Sequence, residues 1–329
     1  SVGGCGGVDS VTEIALVEKT VEEIGSAVET NIAFAVFGNK KQRELTMVQC
    51  VHTVAELRNI LKPLKLAGKS VGLVPTMGAL HQGHATLINT SSKENDITVV
   101  SVFVNPTQFG PSEDFDAYPR TLDSDLKVVE EAGGDIVFAP SAKEMYPSED
   151  MTWVEVTGDI TKVLCGATRP IHFRGVATVV SKLFNIVGPT NAYFGQKDAQ
   201  QVEVLRRMVK DLFFDLNLRV VPIVREESGL ARSSRNTYLS AEEKQAAVIL
   251  SKALKQALGS YKNGEHNKDN IISLVTKTIE SEKLANIEYV ECYGLPGLYS
   301  LDKEIKAPSL LAVAVRFGNT RLIDNIILE

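Results

Sequence analysis

Scarcity narrows this sequence before any motif does. Tryptophan occurs once, at Trp153, and histidine only five times, so two imidazoles within four residues, His81 and His84, stand out. The four cysteines, Cys5, Cys50, Cys165 and Cys292, are widely scattered and form no CxxC pair. That spacing argues against a zinc site or a disulfide framework and for free thiols in a reducing compartment, which places the protein in the cytoplasm. No apolar run approaches the roughly 18 residues of a membrane-spanning helix, so no membrane association is expected. Positive charge is in deficit: 35 Lys and Arg against 41 Asp and Glu leave −6. A general nucleic-acid or membrane footprint is therefore absent, while a local basic pocket stays open. The N-terminus lacks the basic and apolar regions of a secretory signal, and its acidic residues argue against a transit peptide.

What remains is ordinary globular composition, 44% hydrophobic and 23% charged, over 329 residues, long for one core and suited to two domains. Residues 1–46 read as an N-terminal extension of unknown role, with glycine-rich Ser1 to Gly7 and an amphipathic helix expected between Val11 and Val28. From Thr53 the pattern becomes regular. Helices are expected near Thr53 to Leu64, Gly83 to Lys93, Leu122 to Ala132, Ala177 to Ile186 and Ala199 to Asp211. They alternate with strands at Ser70 to Val74, Asp96 to Val104, Asp135 to Phe138, Ala192 to Phe194 and Leu218 to Val224. Such alternation predicts an α/β fold with a Rossmann-like, doubly wound parallel sheet over residues 47–226. After about Ser240 the order changes to helices (Ala241 to Ala257, Asn267 to Ser281) and then strands (Ile287 to Tyr293, Leu310 to Phe317, Arg321 to Leu328). The last two strands are parted by the hairpin signal Gly318-Asn319-Thr320. Residues 227–329 are thus a smaller α+β domain.

The sharpest motif follows the apolar run Val71 to Val74: Pro75-Thr76-Met77-Gly78-Ala79-Leu80-His81-Gln82-Gly83-His84. A strand breaking into a Pro/Gly turn and opening a helix offers free backbone N–H groups and the positive end of a helix dipole to anions. Two imidazoles there can follow charge developing on phosphorus, and Gly83 lets a nucleotide approach the backbone. Nucleotide triphosphate chemistry is the expectation. Further polar clusters end other strands. Asn105-Pro106-Thr107-Gln108-Phe109-Gly110 is either a plain turn or an amide site for hydroxyls and carboxylates. Gly195-Gln196-Lys197-Asp198-Ala199-Gln200-Gln201 puts a lysine at a helix start, against the dipole preference, which favours an anionic ligand. In Gly229-Leu230-Ala231-Arg232-Ser233-Ser234-Arg235-Asn236, small hydroxyls and two guanidinium groups suit a triphosphate tail as well as an exposed basic linker.

Taken together, residues 47–329 resemble the pantothenate synthetases, the pantoate–β-alanine ligases of the nucleotidyltransferase superfamily. The resemblance rests on the histidine motif, Phe103-Val104-Asn105-Pro106-Thr107-Gln108-Phe109 and Tyr118-Pro119-Arg120-Thr121. It continues through Arg169-Pro170-Ile171-His172-Phe173-Arg174-Gly175-Val176, Tyr193-Phe194-Gly195-Gln196-Lys197-Asp198, Ser233-Ser234-Arg235-Asn236 and Arg321-Leu322-Ile323-Asp324-Asn325. It implies ATP-dependent joining of pantoate to β-alanine through a pantoyl adenylate, releasing pyrophosphate and then AMP. By resemblance His81, His84, Lys197 and Arg235 carry the catalysis. Pro75, Met77, Gly83, Gly195, Asp198, Ser233 and Ser234 hold ATP, while Gln108, Gln201, Met77 and Phe109 hold pantoate. Asp125 matches the carboxylate for Mg²⁺, with Asp123 nearby, and Arg169 and His172 match groups near the acyl site. The resemblance also implies a homodimer, and a C-terminal lid hinged near Glu227 to Gly229. Three departures stand out: Arg232 where many relatives have Met, Gln196 where an acid is frequent, and Ala199 where Tyr often sits. The extra cation at Arg232 is expected to tighten ATP binding. A phosphopantetheine adenylyltransferase would lack the paired glutamines and the C-terminal domain. An aminoacyl-tRNA synthetase would need a tRNA-binding face, and a silent ATP-binding protein would have lost one of the four catalytic groups.

Overall fold

The computed structural model describes residues 48–111 and 113–329; the helix expected between Val11 and Val28 lies outside them. A six-stranded, wholly parallel sheet is built from β1 (Gln49–Val51), β2 (Val71–Thr76), β3 (Ile97–Val102), β4 (Ile136–Phe138), β5 (Asn191–Gly195) and β6 (Asn217–Val221). Its order is β1-β4-β3-β2-β5-β6. The chain winds outward from β2 through β3 to β4, then returns to β2's other side for β5 and β6. The order therefore reverses between β2 and β5, where such sheets leave a crevice beyond their carboxyl ends.

Helices cover both faces, which is why the central strands read as unbroken apolar runs, and two short ones, α4 (Ala142–Met145) and α5 (Leu164–Thr168), fall between β4 and β5. One face packs Leu73, Val99, Ile136 and Phe138 against α1 (Val54–Leu66), α6 (His172–Val187) and α7 (Ala199–Asp211). The other packs Val74, Val100 and Val137 against α2 (Gln82–Glu94) and α3 (Leu122–Glu131). Each fully buried side chain of this size contributes about 1.5–3 kcal/mol. Helix α1 begins where sequence places it, with Thr53 and Glu56 forming a reciprocal capping box. Gly72 matters for packing, since a Cβ there would lie 2.1 Å from Ser91 Oγ of α2.

Beyond β6 come α8 (Ala241–Ala246), α9 (Ile249–Lys262) and α10 (Lys268–Glu280), packed on an antiparallel sheet of order β10-β9-β7-β8. Its strands are β7 (Ala285–Gly294), β8 (Tyr299–Ser300), β9 (Ser309–Phe317) and β10 (Thr320–Leu328). Gly318, at φ +55°, supplies the left-handed residue that the two-residue turn between β9 and β10 needs. A small apolar cluster of Leu164, Leu298, Leu310 and Ala312 joins this part to the first. One strand is new and some local expectations shift. Strand β1 is too short to read from its residues and exists by pairing with β4. Strand β6 stops at Val221 because Pro222 has no N–H for the ladder. Helix α6 starts at His172 instead of Ala177, and the helix expected from Ala241 is interrupted at residues 247–248.

Candidate active site

The histidine motif crosses from β2 to α2 through two consecutive left-handed residues, Gly78 at φ +83° and Ala79 at φ +50°. For alanine that conformation costs about 1–2 kcal/mol, so something must hold it. The holder is Asp125 of α3, whose carboxylate accepts from the N–H of Ala79 (3.1 Å) and of Leu80 (2.8 Å), while Gly78 N–H bonds Thr76 Oγ1 at 3.2 Å. The turn delivers His81 as the N-cap of α2. His81 Nδ1 accepts from Gly83 N–H at 3.0 Å, and His84 Nδ1 accepts from His81 N–H at 3.3 Å. With both Nδ1 atoms used as acceptors, the ring proton of each neutral imidazole is on Nε2. Burial, then the charges of Lys197 and Arg232, lower the His81 pKa to about 4; burial, His81 and Lys197 hold His84 well below its ordinary value. Both are neutral Nε2–H donors at physiological pH, rings 4.2 Å apart.

They open onto a cavity of about 230 Å³ at the switch point between β2 and β5. Pro75, Met77, Gly83, Gln108, Phe109, Gly195, Lys197, Asp198, Gln201, Ser233, Ser234 and Arg235 line it with the two histidines, as do Arg169, His172 and Arg232. Segments far apart in sequence thus meet at one wall. Gln108 sits in a tight turn, Pro106–Gln108, pressed against α6; a Cβ on Gly175 would lie 2.3 Å from Thr107 O, so only glycine permits this approach. Buried Asn105 donates Nδ2 to Gln108 Oε1 at 3.0 Å and to Gly175 O at 3.2 Å, and Tyr146 hydroxyl donates to Asn105 Oδ1 at 2.7 Å. Asn105 itself fits the turn reading, its Oδ1 accepting from Thr107 N–H at 3.4 Å, and its amide braces Gln108. Gln108 Oε1 accepts from Asn105 and its Nε2 donates one hydrogen to Met77 Sδ at 3.2 Å, which leaves the second Nε2 hydrogen open to the cavity.

His172 Nδ1 donates to the carbonyl of Gln108 at 3.0 Å, so its Nε2 is a bare acceptor, 3.3 Å from an Arg169 guanidinium nitrogen. Burial and Arg169 lower its pKa to about 4. Arg169 is itself held by Glu113, with Nε to Oε1 at 2.8 Å. Elsewhere in the lining Arg235 is paired with Asp114 at 2.9 and 3.2 Å, and Ser234 Oγ meets Tyr118 hydroxyl at 3.2 Å. Arg232 contributes a guanidinium whose Nε is buried without a partner. Lys197, Arg169, Arg232 and Arg235 line the cavity against one carboxylate, Asp198, so even with Arg169 and Arg235 paired to Glu113 and Asp114 the lining is cationic, though the whole chain is acidic.

Asp125, the carboxylate expected to take a cation, does not line the cavity, and neither does its neighbour Asp123. Asp125 is 1% exposed, and its oxygens accept from two backbone N–H groups and from Thr121 Oγ1 (3.3 Å). In this arrangement Asp125 braces the histidine turn from behind. Asp114, Tyr118 and Asn105 join the site as supports that sequence reading left without these roles. Only the Tyr-Pro-Arg-Thr and Asn-Pro-Thr-Gln strings signalled two of them; nothing marked Asp114 among its acidic neighbours.

Fold and cavity together define an α/β enzyme with a cationic crevice at the topological switch point, built for an anionic substrate. The pantoate–β-alanine ligase family model matches residues 49–327. Among curated relatives, pantothenate synthetase of Acetivibrio thermocellus is 56% identical over 282 residues, covering 86% of this chain and 100% of the relative. That of Clostridium acetobutylicum is 52% identical, covering 84% and 98%. A crystal structure of pantothenate synthetase from Thermus thermophilus superposes with a TM-score of 0.81 at 43% identity, covering 85% of this chain and 99% of that one. The pantoate–β-alanine ligase of Francisella tularensis, crystallised with β-γ ATP and β-alanine, superposes at 0.71 with 34% identity, covering 85% and 97%. The chain belongs to the pantoate–β-alanine ligase family, and its activity is the joining of pantoate to β-alanine to form pantothenate.

Proposed function

We propose that this chain joins the two substrates through a pantoyl adenylate made from ATP. The supporting observation is that one cavity gathers His81, His84, Lys197 and Arg235 from three separate segments. The Francisella relative, crystallised with an ATP form and β-alanine, lends the two ligands. In the first step a pantoate carboxylate oxygen attacks the α-phosphorus and the bond to the β-phosphate oxygen breaks, releasing pyrophosphate. A carboxylate is already nucleophilic, so the protein's task is positioning and charge stabilisation. The Nε2–H groups of His81 and His84 and the Lys197 ammonium donate to the phosphate oxygens as charge moves outward. Ser233, Ser234 and Arg235 hold the β- and γ-phosphates, and Pro75, Met77, Gly83, Gly195 and Asp198 frame the nucleoside end. Gln108, through Nε2, and Gln201 orient pantoate; Met77 and Phe109 wall its gem-dimethyl group. Magnesium enters with ATP as part of the substrate, on phosphate oxygens and water, consistent with the cation's preference for such ligands.

In the second step the β-alanine amine attacks the acyl carbon, AMP leaves and the nitrogen loses a proton. Water would destroy the adenylate, so residues 227–329 act as a lid over residues 47–226, hinged near Glu227 to Gly229. The enzyme works as a cytoplasmic homodimer, a state that light scattering would test. The chemical test is direct. With Mg-ATP and pantoate alone, pyrophosphate forms up to one equivalent per site; adding β-alanine releases AMP and pantothenate. Pyrophosphate that waits for β-alanine would overturn the adenylate route.

A further inference from the structure

We infer that Asn325 is a positioning residue for Lys197, fastening the lysine's turn to the C-terminal sheet; this rests on the role proposed above for Lys197. The turn Gln196–Asp198 has no side-chain cap of its own, at Gly195 or at Asp198, the N-cap of α7. Its carbonyls are claimed from across the molecule. Asn325 Nδ2 donates one hydrogen to Gln196 O and the other to Lys197 O, both at 3.0 Å, and Oδ1 lies 3.4 Å from Gln196 Nε2. Asn325 is 3% exposed, and both of its amide hydrogens are given to this one turn.

The asparagine is itself held. Its N–H donates to Asp324 Oδ1 at 2.8 Å, and Asp324, 2% exposed, takes a two-pronged bond from Arg225 at 2.7 and 2.9 Å. Arg225 also donates to Gly229 O at 3.1 Å. Four residues earlier Arg321 binds Glu288 (2.8 to 3.1 Å) and approaches Cys165 Sγ at 3.6 Å. Strand β10 is the free edge of its sheet, and this edge packs on both the Gln196–Asp198 turn and the Ser234–Tyr238 turn that carries Arg235. One strand of the second sheet thereby sets the spacing of two cations supplied by other segments. The string Arg321-Leu322-Ile323-Asp324-Asn325 acquires a use: it latches the lid's sheet to the lysine turn.

The test makes Asn325→Asp, of equal shape but unable to donate, and Asn325→Ser, uncharged and shorter, each alone and with Lys197→Met. The readout is single-turnover pyrophosphate formation from Mg-ATP and pantoate. Either variant alone should slow this step tenfold or more, with the ATP KM changed less than threefold. In the Lys197→Met chain the same substitution should change the rate less than twofold, because the group it positions is gone. A general loss of folded protein would lower both backgrounds alike. Equal fold losses in the two backgrounds, or an unchanged rate with Lys197 present, would overturn the inference. A Lys197→Met chain as fast as the parent would instead sink the assignment of Lys197 itself. Asn325→Ser keeps the test open where the buried carboxylate of Asn325→Asp prevents folding.

Discussion

Asp125 shows how much one side chain can decide at the residue scale. Its carboxylate offsets the cost of a left-handed alanine by answering two successive N–H groups that no strand or helix partner could reach. Burial raises its pKa against the lowering effect of those bonds, so the group sits in a dry place and stays there for geometry. Asp125→Asn keeps the size but sets an amide NH₂ against a backbone N–H. The expected loss is about 1–3 kcal/mol of stability, read from urea midpoints. The half-saturating magnesium concentration for pyrophosphate formation should stay within twofold; a tenfold rise would return Asp125 to the metal.

Elements position the site by touching more closely than most side chains allow. Helix α6 carries Gly175 onto the Pro106–Gln108 turn, and the same contact places His172 Nδ1 on the Gln108 carbonyl. A methyl at Gly175 would meet the carbonyl of Thr107, which is backbone and cannot swing aside. Gly175→Ala should therefore cost about 1–3 kcal/mol as overpacking. The pantoate KM should rise several-fold with the ATP KM unchanged. Equal increases in both would show that the helix positions more than Gln108. Sequence marked this glycine only within a motif string, and the expected helix began after it. Its use became visible once α6 and the turn were in contact. Helix α1, by contrast, was legible from its Thr53 cap and apolar spacing, signals that act between residues a turn or so apart; the Glu56 half of the capping box came with the structure.

At the scale of the whole molecule, the apolar layers of the parallel sheet and of the antiparallel sheet are joined by a small cluster around Leu164 and by the polar latch of β10. Folding also holds imidazoles neutral. His81 and His172 sit at about 4 in the folded chain against roughly 6.5 when unfolded. Between those values the unfolded chain binds more protons, so the free energy of unfolding rises with pH. The contribution is fully present above about pH 6.5 and is lost as pH falls towards 4. Urea midpoints between pH 7 and 5 should fall in the parent and less steeply in His172→Gln. Parallel profiles would mean that His172 does not titrate as its surroundings require.

The residues alone determined the alternation of strands and helices, the change to an antiparallel part after Ser240, and the strings that carry the chemistry. These depend on apolar period, turn residues and neighbours within a few positions. Only the tertiary structure decided which strings share a wall, that Asp125 braces while Gln108 offers its amide, and that Asn325 reaches Lys197. Contacts between residues distant in the chain follow from strand order and helix approach, which local patterns do not encode.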